Sequence, residues 1–353
     1  MGKLKANIAK PVMRSIPGEI STNSLTALLN GILAESPVEN QLIQSLQRRV
    51  SDYSSSFQIE ELDASLTNHL TLKLMFKDLS WRSLLDDARR ARPEFLYDPR
   101  REILVYQNIL SKENLGTAAY FGSHIDADHG QYLLFLERVN APKLCHTGDF
   151  SIWEKTAQWL SEFHLTFQSR IDTMIPRCRL LNFDAAYYRV WMHRAKSFYR
   201  QANAKTCRES RDFVNWLSVR YEQVVERLSA LPHTMIHGEF YASNILAERS
   251  ANSVRICPVD WELASSGPGL FDLAALVAGS WKEPDRLKLI TAYYNAIPSH
   301  SRTSFDEFCH LLNFARLHLA VQYIGWATEW SPPSDQQFDW IKEAQTLSAT
   351  LNL

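Results

Sequence analysis

Glu239, Asn244 and Asp260 have the side-chain types and the spacing that handling a phosphoryl group requires. They stand in His237-Gly-Glu-Phe-Tyr-Ala-Ser-Asn244 and in Val259-Asp-Trp-Glu262. Phosphoryl transfer needs a carboxylate beside an acceptor hydroxyl, plus an Asn and an Asp to hold the magnesium that bridges the nucleotide phosphates. The Asn lies five positions after the acid, as in the protein-kinase catalytic loop, and the Asp lies sixteen further on. Each of these residues alone is more often a polar group turning a loop. It is the joint pattern that points to chemistry.

The elements around these residues must bring them to one place. TMIHGEF, NILAE and VRICPVDW read as short strands with the turn ERSANS inside them, so the polar groups emerge at strand ends and loops. One hairpin can set all three at one edge. Earlier, from Val50 to Leu79, FQIEELDAS and HLTLKLMFKDL alternate apolar and polar residues about a turn at Leu66 to Asn68, which predicts an antiparallel hairpin. Asp98-Pro99 opens a helix through REILVYQNIL, with Asp as N-cap and Pro in the first turn. Strands follow at 116–122 and 131–139. Residues 1 to about 40 are broken by Pro11, Pro17 and Pro37, with a short helix over 25–33.

Beyond Pro142 the pattern is mainly helical. Ser151 and Glu154 have capping-box spacing, and Trp153, Ala157, Leu160, His164 and Phe167 share one face of the helix they begin. On that face His164 reads as a hydrogen-bonded core histidine. Further helices are expected near 184–200, 209–230, 271–281, 284–295, 304–327 and 335–349.

The bulk properties narrow the field of partners. With 353 residues the chain can build two lobes and a cleft between them. Its net charge of −1 gives no global field for nucleic acid or an anionic membrane. Its five cysteines are scattered without C-x-x-C spacing, which disfavours a disulfide framework and a zinc site. Neither a secretory h-region nor an apolar stretch of about 18 residues occurs. A cytoplasmic protein without nucleic-acid or membrane partners is the expectation.

HGEFYASNIL followed by VDWELASSGPGLFDLAAL resembles the motif of the aminoglycoside phosphotransferase and choline kinase family, H-G-D-x-x-x-x-N and then a hydrophobic-D-[FW]-E segment. That resemblance implies a bilobal, protein-kinase-like α+β fold, with a small antiparallel-sheet N-lobe and a larger, mainly helical C-lobe. It also implies transfer of the γ-phosphoryl group of ATP or GTP, with Mg2+, to a hydroxyl of a small molecule such as an antibiotic, sugar or amino alcohol. By position, Glu239 takes the place of the catalytic acid, Asn244 and Asp260 are the metal ligands, and Asp272 braces the loop. His237 orients it. An N-terminal extension and nucleotide-binding lobe over 1–138 and a catalytic and acceptor lobe over 139–353 follow from the same likeness.

A kinase N-lobe also needs a strand Lys for the phosphates and a helix Glu to hold it. Lys77 and Glu102 resemble that pair. Strand parity alone leaves Lys73 as open as Lys77, since both point to one face. The turn over the nucleotide corresponds to 52–56, with Ser54 and Ser55 available to phosphate in a segment without glycine. The same resemblance implies backbone contacts to the adenine from the segment between the lobes, near Glu137, Arg138 and Val139. Trp281, Glu283, Asp285, Tyr293, Trp326, Glu329, Trp330, Asp335 and Trp340 make the last third rich in aromatics and acids, which suits a cationic or polyhydroxylated acceptor.

Glu239 departs from the family's Asp, and its extra methylene moves the carboxylate by more than about an ångström, enough to matter in a preorganised site. This substitution makes a catalytically impaired, nucleotide-binding pseudokinase the alternative to an active kinase. A metal-dependent hydrolase built on His237 and Glu239 is a weaker rival, lacking the further ligands of a zinc site.

Overall fold

The computed structural model describes residues 20–34, 41–52, 56–201, 208–251, 253–326 and 337–353. Helix α1 (Thr22–Ala34) leads into strand β1 (Ile43–Val50), followed by β2 (Ile59–Leu66) and β3 (Thr71–Asp78). A short helix α2 (Asp86–Ala91) precedes α3 (Arg101–Asn108), after which β4 (Tyr120–Asp126) and β5 (Gln131–Glu137) complete one sheet in the order β1-β2-β3-β5-β4. Every pairing in it is antiparallel.

Alternation along these strands gives the sheet two apolar faces. Leu62, Ala64, Leu74, Phe76, Leu133 and Phe135 pack under Leu25, Leu29 and Leu33 of α1. The α1 leucines are almost fully buried, each contributing about 2 kcal/mol. Leu134 and Leu136 face the other way, toward Ile103 and Tyr106 of α3 and toward Trp261. Lys77 points to this second face, so the strand that carries it is clamped between α1 and the cluster that holds α3 and Trp261.

After Glu137 the chain enters the C-lobe. It contains α4 (Phe150–Gln168), α5 (Ile171–Cys178), strand β6 (Leu181–Asn182), α6 (Ala185–Gln201) and α7 (Arg208–Ser229). Strands β7 (His233–Ile236), β8 (Ile245–Arg249), β9 (Val254–Pro258) and β10 (Ser265–Pro268) come next, and then α8 (Leu270–Leu276), α9 (Glu283–Ala296), α10 (Phe305–Trp326) and α11 (Trp340–Thr350). β10 lies between β6 and β7, while β8 and β9 form the separate hairpin expected from NILAE and VRICP.

The structure departs from the sequence reading in several places. β1 is a strand where none was expected, because IQSLQRRV is an edge strand with few buried positions and a blurred alternation. The cap of α4 is Asp149, whose carboxylate accepts the Ser151 N–H at 3.0 Å, so the capping box placed at Ser151 starts two residues late. α5 was not expected because Pro176 lies inside it. α8 stops at Leu276, short of 281. Asp98 accepts the Arg100 N–H at 3.0 Å in a turn ahead of α3, but the helix begins at Arg101 with Arg100 as its N-cap and no side-chain cap bond, so Asp98 and Pro99 stand before the helix instead of at its cap and first turn. Among the described residues no helix is long and apolar enough to cross a membrane.

Candidate active site

The candidate catalytic loop runs from the end of β7 to the start of β8. Gly238 has φ +86°, and a Cβ there would stand 2.3 Å from the Leu263 carbonyl oxygen, so only glycine lets the loop turn against the following segment. Asp272, in the first turn of α8, accepts the His237 N–H at 2.6 Å and the Gly238 N–H at 3.0 Å. The His164 ring sits between Asp272 (3.2 Å from Nε2) and the Tyr293 hydroxyl (2.8 Å from Nδ1), and both its partners are buried. His164 is therefore a core histidine that supports the brace from behind.

His237 donates from Nε2 to the Val259 carbonyl at 2.9 Å and accepts the Glu239 N–H at Nδ1. Burial lowers its pKa against the pull of Asp272, so the ring is neutral and fits this donor and acceptor pair. The Glu239 carbonyl accepts from Tyr241 N–H at 2.7 Å and from the Asn244 side-chain amide at 3.1 Å. Val259 N–H donates to the Asn244 carbonyl at 2.9 Å, continuing the β8–β9 ladder by one rung. That rung explains the sixteen-residue spacing, since it sets Asp260 beside Asn244.

Asp260 has left-handed backbone angles, φ 72° and ψ 59°, a conformation that Asp tolerates better than most residues. Its Oδ1 accepts from the Lys77 ammonium at 2.7 Å, and the same ammonium reaches Glu102 at 2.8 and 3.1 Å. Lys77 is 5% exposed and Glu102 1% exposed, whereas Lys73 is exposed, which separates the two lysines that parity left open. Burial pulls the Lys77 pKa down, but Asp260 and Glu102 outweigh it and hold the ammonium charged. Asp260 is kept below its ordinary value because Lys77 overcomes the cost of its burial. Glu102 also accepts the Trp261 N–H at 3.3 Å, joining α3 to the turn after Asp260.

Glu239 lies among carboxylates. Burial, then Glu262 and Asp260, push its pKa up to about 8, and Arg92 opposes the rise. Arg92 and Glu262 form a two-pronged ion pair at 2.8 and 2.6 Å, and Arg101 donates to the Glu262 carbonyl at 2.6 Å. Burial lowers the Arg101 pKa to about 10. The Tyr241 and Tyr323 rings lie 5.9 Å apart within electrostatic reach of Glu239, and Trp340 stacks on Tyr323 at 4.0 Å. Arg92, Glu262 and these tyrosines were not singled out as site residues.

At the other expected positions the side chains are held as follows. Glu137 is engaged by Arg255 and by Ala119 N–H, and Arg138 by Asp63 and Glu61, so these side chains tie strands together at the junction of the lobes. Val139 is partly buried against the core cluster that includes Trp261. Ser54 and Ser55 lie outside the described residues, as do Glu329, Trp330 and Asp335. Trp281 packs on Phe150 and Trp153, Trp326 packs on Trp191, and Tyr293 serves His164. Glu283 and Asp285 pair with Arg286 and Lys288 on the surface of α9. Most of the aromatic and acidic residues of the last third thus build or cover the lobe, and Trp340 comes near Glu239 only through Tyr323.

The sequence profile of the phosphotransferase enzyme family (APH) matches residues 119–304, just over half of the chain. The chain belongs to this family. No individual curated protein matches the sequence. Among solved structures, this phosphotransferase is similar to choline kinase from Cryptosporidium parvum Iowa II, with TM-score 0.58 and 13% identity over 94% of each chain. It is also similar to a microcompartment-associated aminopropanol kinase, with TM-score 0.58 and 10% identity over 92% of this chain and 96% of that one. The GDP complex of wild-type aminoglycoside 2′-phosphotransferase-IIIa gives 0.56 and 12%, over 92% and 97%. These likenesses show the bilobal, kinase-like α+β fold. The phosphotransferase family uses a nucleotide, and the resemblance read from HGEFYASN and VDWE is the family that the profile assigns.

Proposed function

We propose that this phosphotransferase moves the γ-phosphoryl group of Mg-ATP or Mg-GTP to a hydroxyl of a small molecule. One observation carries the reading: Lys77 Nζ bridges Glu102 and Asp260 at 2.8 and 2.7 Å, and Asp260 follows directly on Val259, whose N–H donates to the Asn244 carbonyl. Residues 1–138 then form the nucleotide lobe and its extension, and 139–353 the catalytic and acceptor lobe. Asn244 and Asp260 offer hard oxygen donors without sulfur or imidazole. This suits Mg2+, which takes few protein ligands and completes its shell with water and phosphate. When bound, it supplies neutralisation of charge across the β and γ phosphates.

The chain's own groups do the rest. Lys77, held by Glu102, contacts the α and β phosphates. Glu239 orients the acceptor hydroxyl and takes its proton as the hydroxyl oxygen bonds to the γ phosphorus. The bond from that phosphorus to the β–γ bridging oxygen breaks, and the nucleoside diphosphate leaves. Burial brings the Glu239 carboxyl to about 8, near the working pH, where a general base balances its ionised fraction against its affinity for the proton. Among possible acceptors, amino alcohols, sugars and aminocyclitols all present hydroxyls. Choline, aminopropanol and aminoglycosides appear in the names of the similar structures.

Release of ADP or GDP, followed across a panel of those three classes, tests the proposal. One class should stimulate release, and Glu239→Gln should abolish the stimulation by about 100-fold or more. Nucleotide binding without stimulation by any class would favour the impaired, nucleotide-binding reading instead. Glu239→Asp separates the two readings further. The Glu239 backbone is fixed by Tyr241 and Asn244, so a shorter acid should fall short of the hydroxyl and lower turnover by about tenfold or more. A gain in turnover would mark Glu239 as an impairing residue.

A further inference from the structure

The segment between β3 and α3, residues 79–100, does more than connect them. At one end it is tied to the residues just ahead of β2: Phe57 bridges Leu84, and Leu85 N–H donates to the Ser56 carbonyl at 3.0 Å. Further along, Phe95 sets its ring edgewise on Tyr187 and Trp191 of α6, with centroids at 6.4 and 5.7 Å. Tyr97 returns to the N-lobe, its hydroxyl donating to the Leu79 carbonyl at 3.0 Å. The segment is thus fastened to both lobes across the cleft.

Arg92 lies between these fastenings with its side chain only 7% exposed. Its guanidinium takes Glu262 through both terminal nitrogens and donates to the Ser56 hydroxyl at 3.0 Å. Phe57 covers one face, its centroid 5.6 Å away. Three of the five N–H donors are used in these bonds, leaving Nε and one terminal hydrogen without a partner among the described residues. The charge of Arg92 also reaches Glu239 and Asp260. The cation therefore sits between Ser56, ahead of β2, and the carboxylates Glu262, Glu239 and Asp260. A terminal phosphate would lie in that gap.

Resting on the phosphotransferase reading above, we propose that Arg92 is a second phosphate-gripping cation. It contacts the γ-phosphoryl oxygens while Glu262 and Ser56 hold its fork in place. Lys77 is a point charge committed to two carboxylates, whereas Arg92 keeps directed donors in reserve for an anion that exists only in the triphosphate. A planar cation held ready where charge spreads over the equatorial oxygens stabilises the transfer without reorganising.

Calorimetric binding of Mg-ADP and of the non-hydrolysable Mg-β,γ-imido-ATP to the folded full chain tests the assignment. Because Arg92 answers to the γ group, Arg92→Gln should weaken the imido-triphosphate by about tenfold or more and leave the diphosphate within about threefold. Arg92→Lys keeps the charge but not the fork, so it should recover part of the difference. It also serves if the Gln variant, which leaves Glu262 unpaired, fails to fold. Glu262→Gln breaks the same ion pair while retaining the cation, and should cost the triphosphate less than Arg92→Gln does. A role in folding alone would move both nucleotides equally. An unchanged ratio of the two affinities in Arg92→Lys and in any folded Arg92→Gln would overturn the proposal. If the wild-type chain bound neither nucleotide, the phosphotransferase reading itself would fall and take this proposal with it.

Discussion

Asp272→Asn is nearly isosteric yet should disable the brace of the catalytic loop. The carboxylate is 1% exposed and accepts three donors: His237 N–H and His164 at Oδ2, and Gly238 N–H at Oδ1. An amide has a single acceptor oxygen. Placed at the Oδ2 position, it keeps two bonds but turns its NH2 toward the Gly238 N–H, donor against donor. Losing a charge-assisted bond and leaving a buried donor unpaired costs about 3–5 kcal/mol in all. For a chain of this length an unfolding entropy of about 0.7 kcal/mol per kelvin converts that into a midpoint lower by roughly 4–7 °C. Differential scanning calorimetry measures the shift, with Asp306→Asn, an acid in the first turn of α10, as a surface control expected to stay within about 1 °C. Because Glu239 follows Gly238 directly, a displacement of about an ångström should also lower turnover by about 100-fold. If Asp272→Asn melted with the control and turned over like the wild type, the account of the brace would be wrong.

Two further perturbations reach other parts of the structure. Gly238→Ala would place a methyl 2.3 Å from the Leu263 carbonyl at a positive φ, and should cost about 2 kcal/mol or more in denaturant unfolding; an effect below about 0.5 kcal/mol would contradict the close approach. His318 lies fully buried among Tyr187, Tyr188 and Phe271, accepts the Tyr221 hydroxyl, and is pushed down to about 3 by burial. Its folded pKa is depressed below the unfolded value of about 6.5, so its stabilising contribution is complete above that pH and is lost as pH falls toward 3. Between pH 6 and 4, stability of the wild type should therefore fall more steeply than that of His318→Gln, by up to about 1.4 kcal/mol per pH unit. Equal slopes would show that the ring is protonated in the folded state.

Much of the fold and of the site's layout was legible because the signals were local. HGEFYASN and VDWE carry their own spacing, and the β8–β9 hairpin that closes the gap between Asn244 and Asp260 is visible as two apolar runs about a polar turn. Lys77 and Glu102 could be placed on a strand and a helix, but the choice against Lys73 rested on the family resemblance alone, and its physical reason is the burial of Lys77 where Lys73 is exposed. Arg92 was invisible for a different reason. In LLDDARRARPEF it reads as one surface charge among several, and its meaning depends on Glu262, 170 positions away. Glu137 illustrates the reverse: its place beside the expected adenine site is a matter of sequence position, while its side chain is claimed by Arg255, 118 positions away. The polar edge strand β1 escaped because exposure on both faces erases the alternation that betrays β2 and β3.

The central claim is that Lys77, Glu102, Asn244 and Asp260 form a site for a magnesium-bound nucleoside triphosphate. Thermal unfolding of the wild type and of Asp260→Asn, with and without Mg-ATP or Mg-GTP, tests it most directly. A ligand present at about 100 times its Kd adds about 2.7 kcal/mol to the native state, a rise of roughly 3–4 °C for a chain of this size. The account predicts that rise for at least one nucleotide, dependent on magnesium in the wild type and absent in Asp260→Asn. No shift with either nucleotide at millimolar concentration, or an equal shift in both proteins, would contradict it.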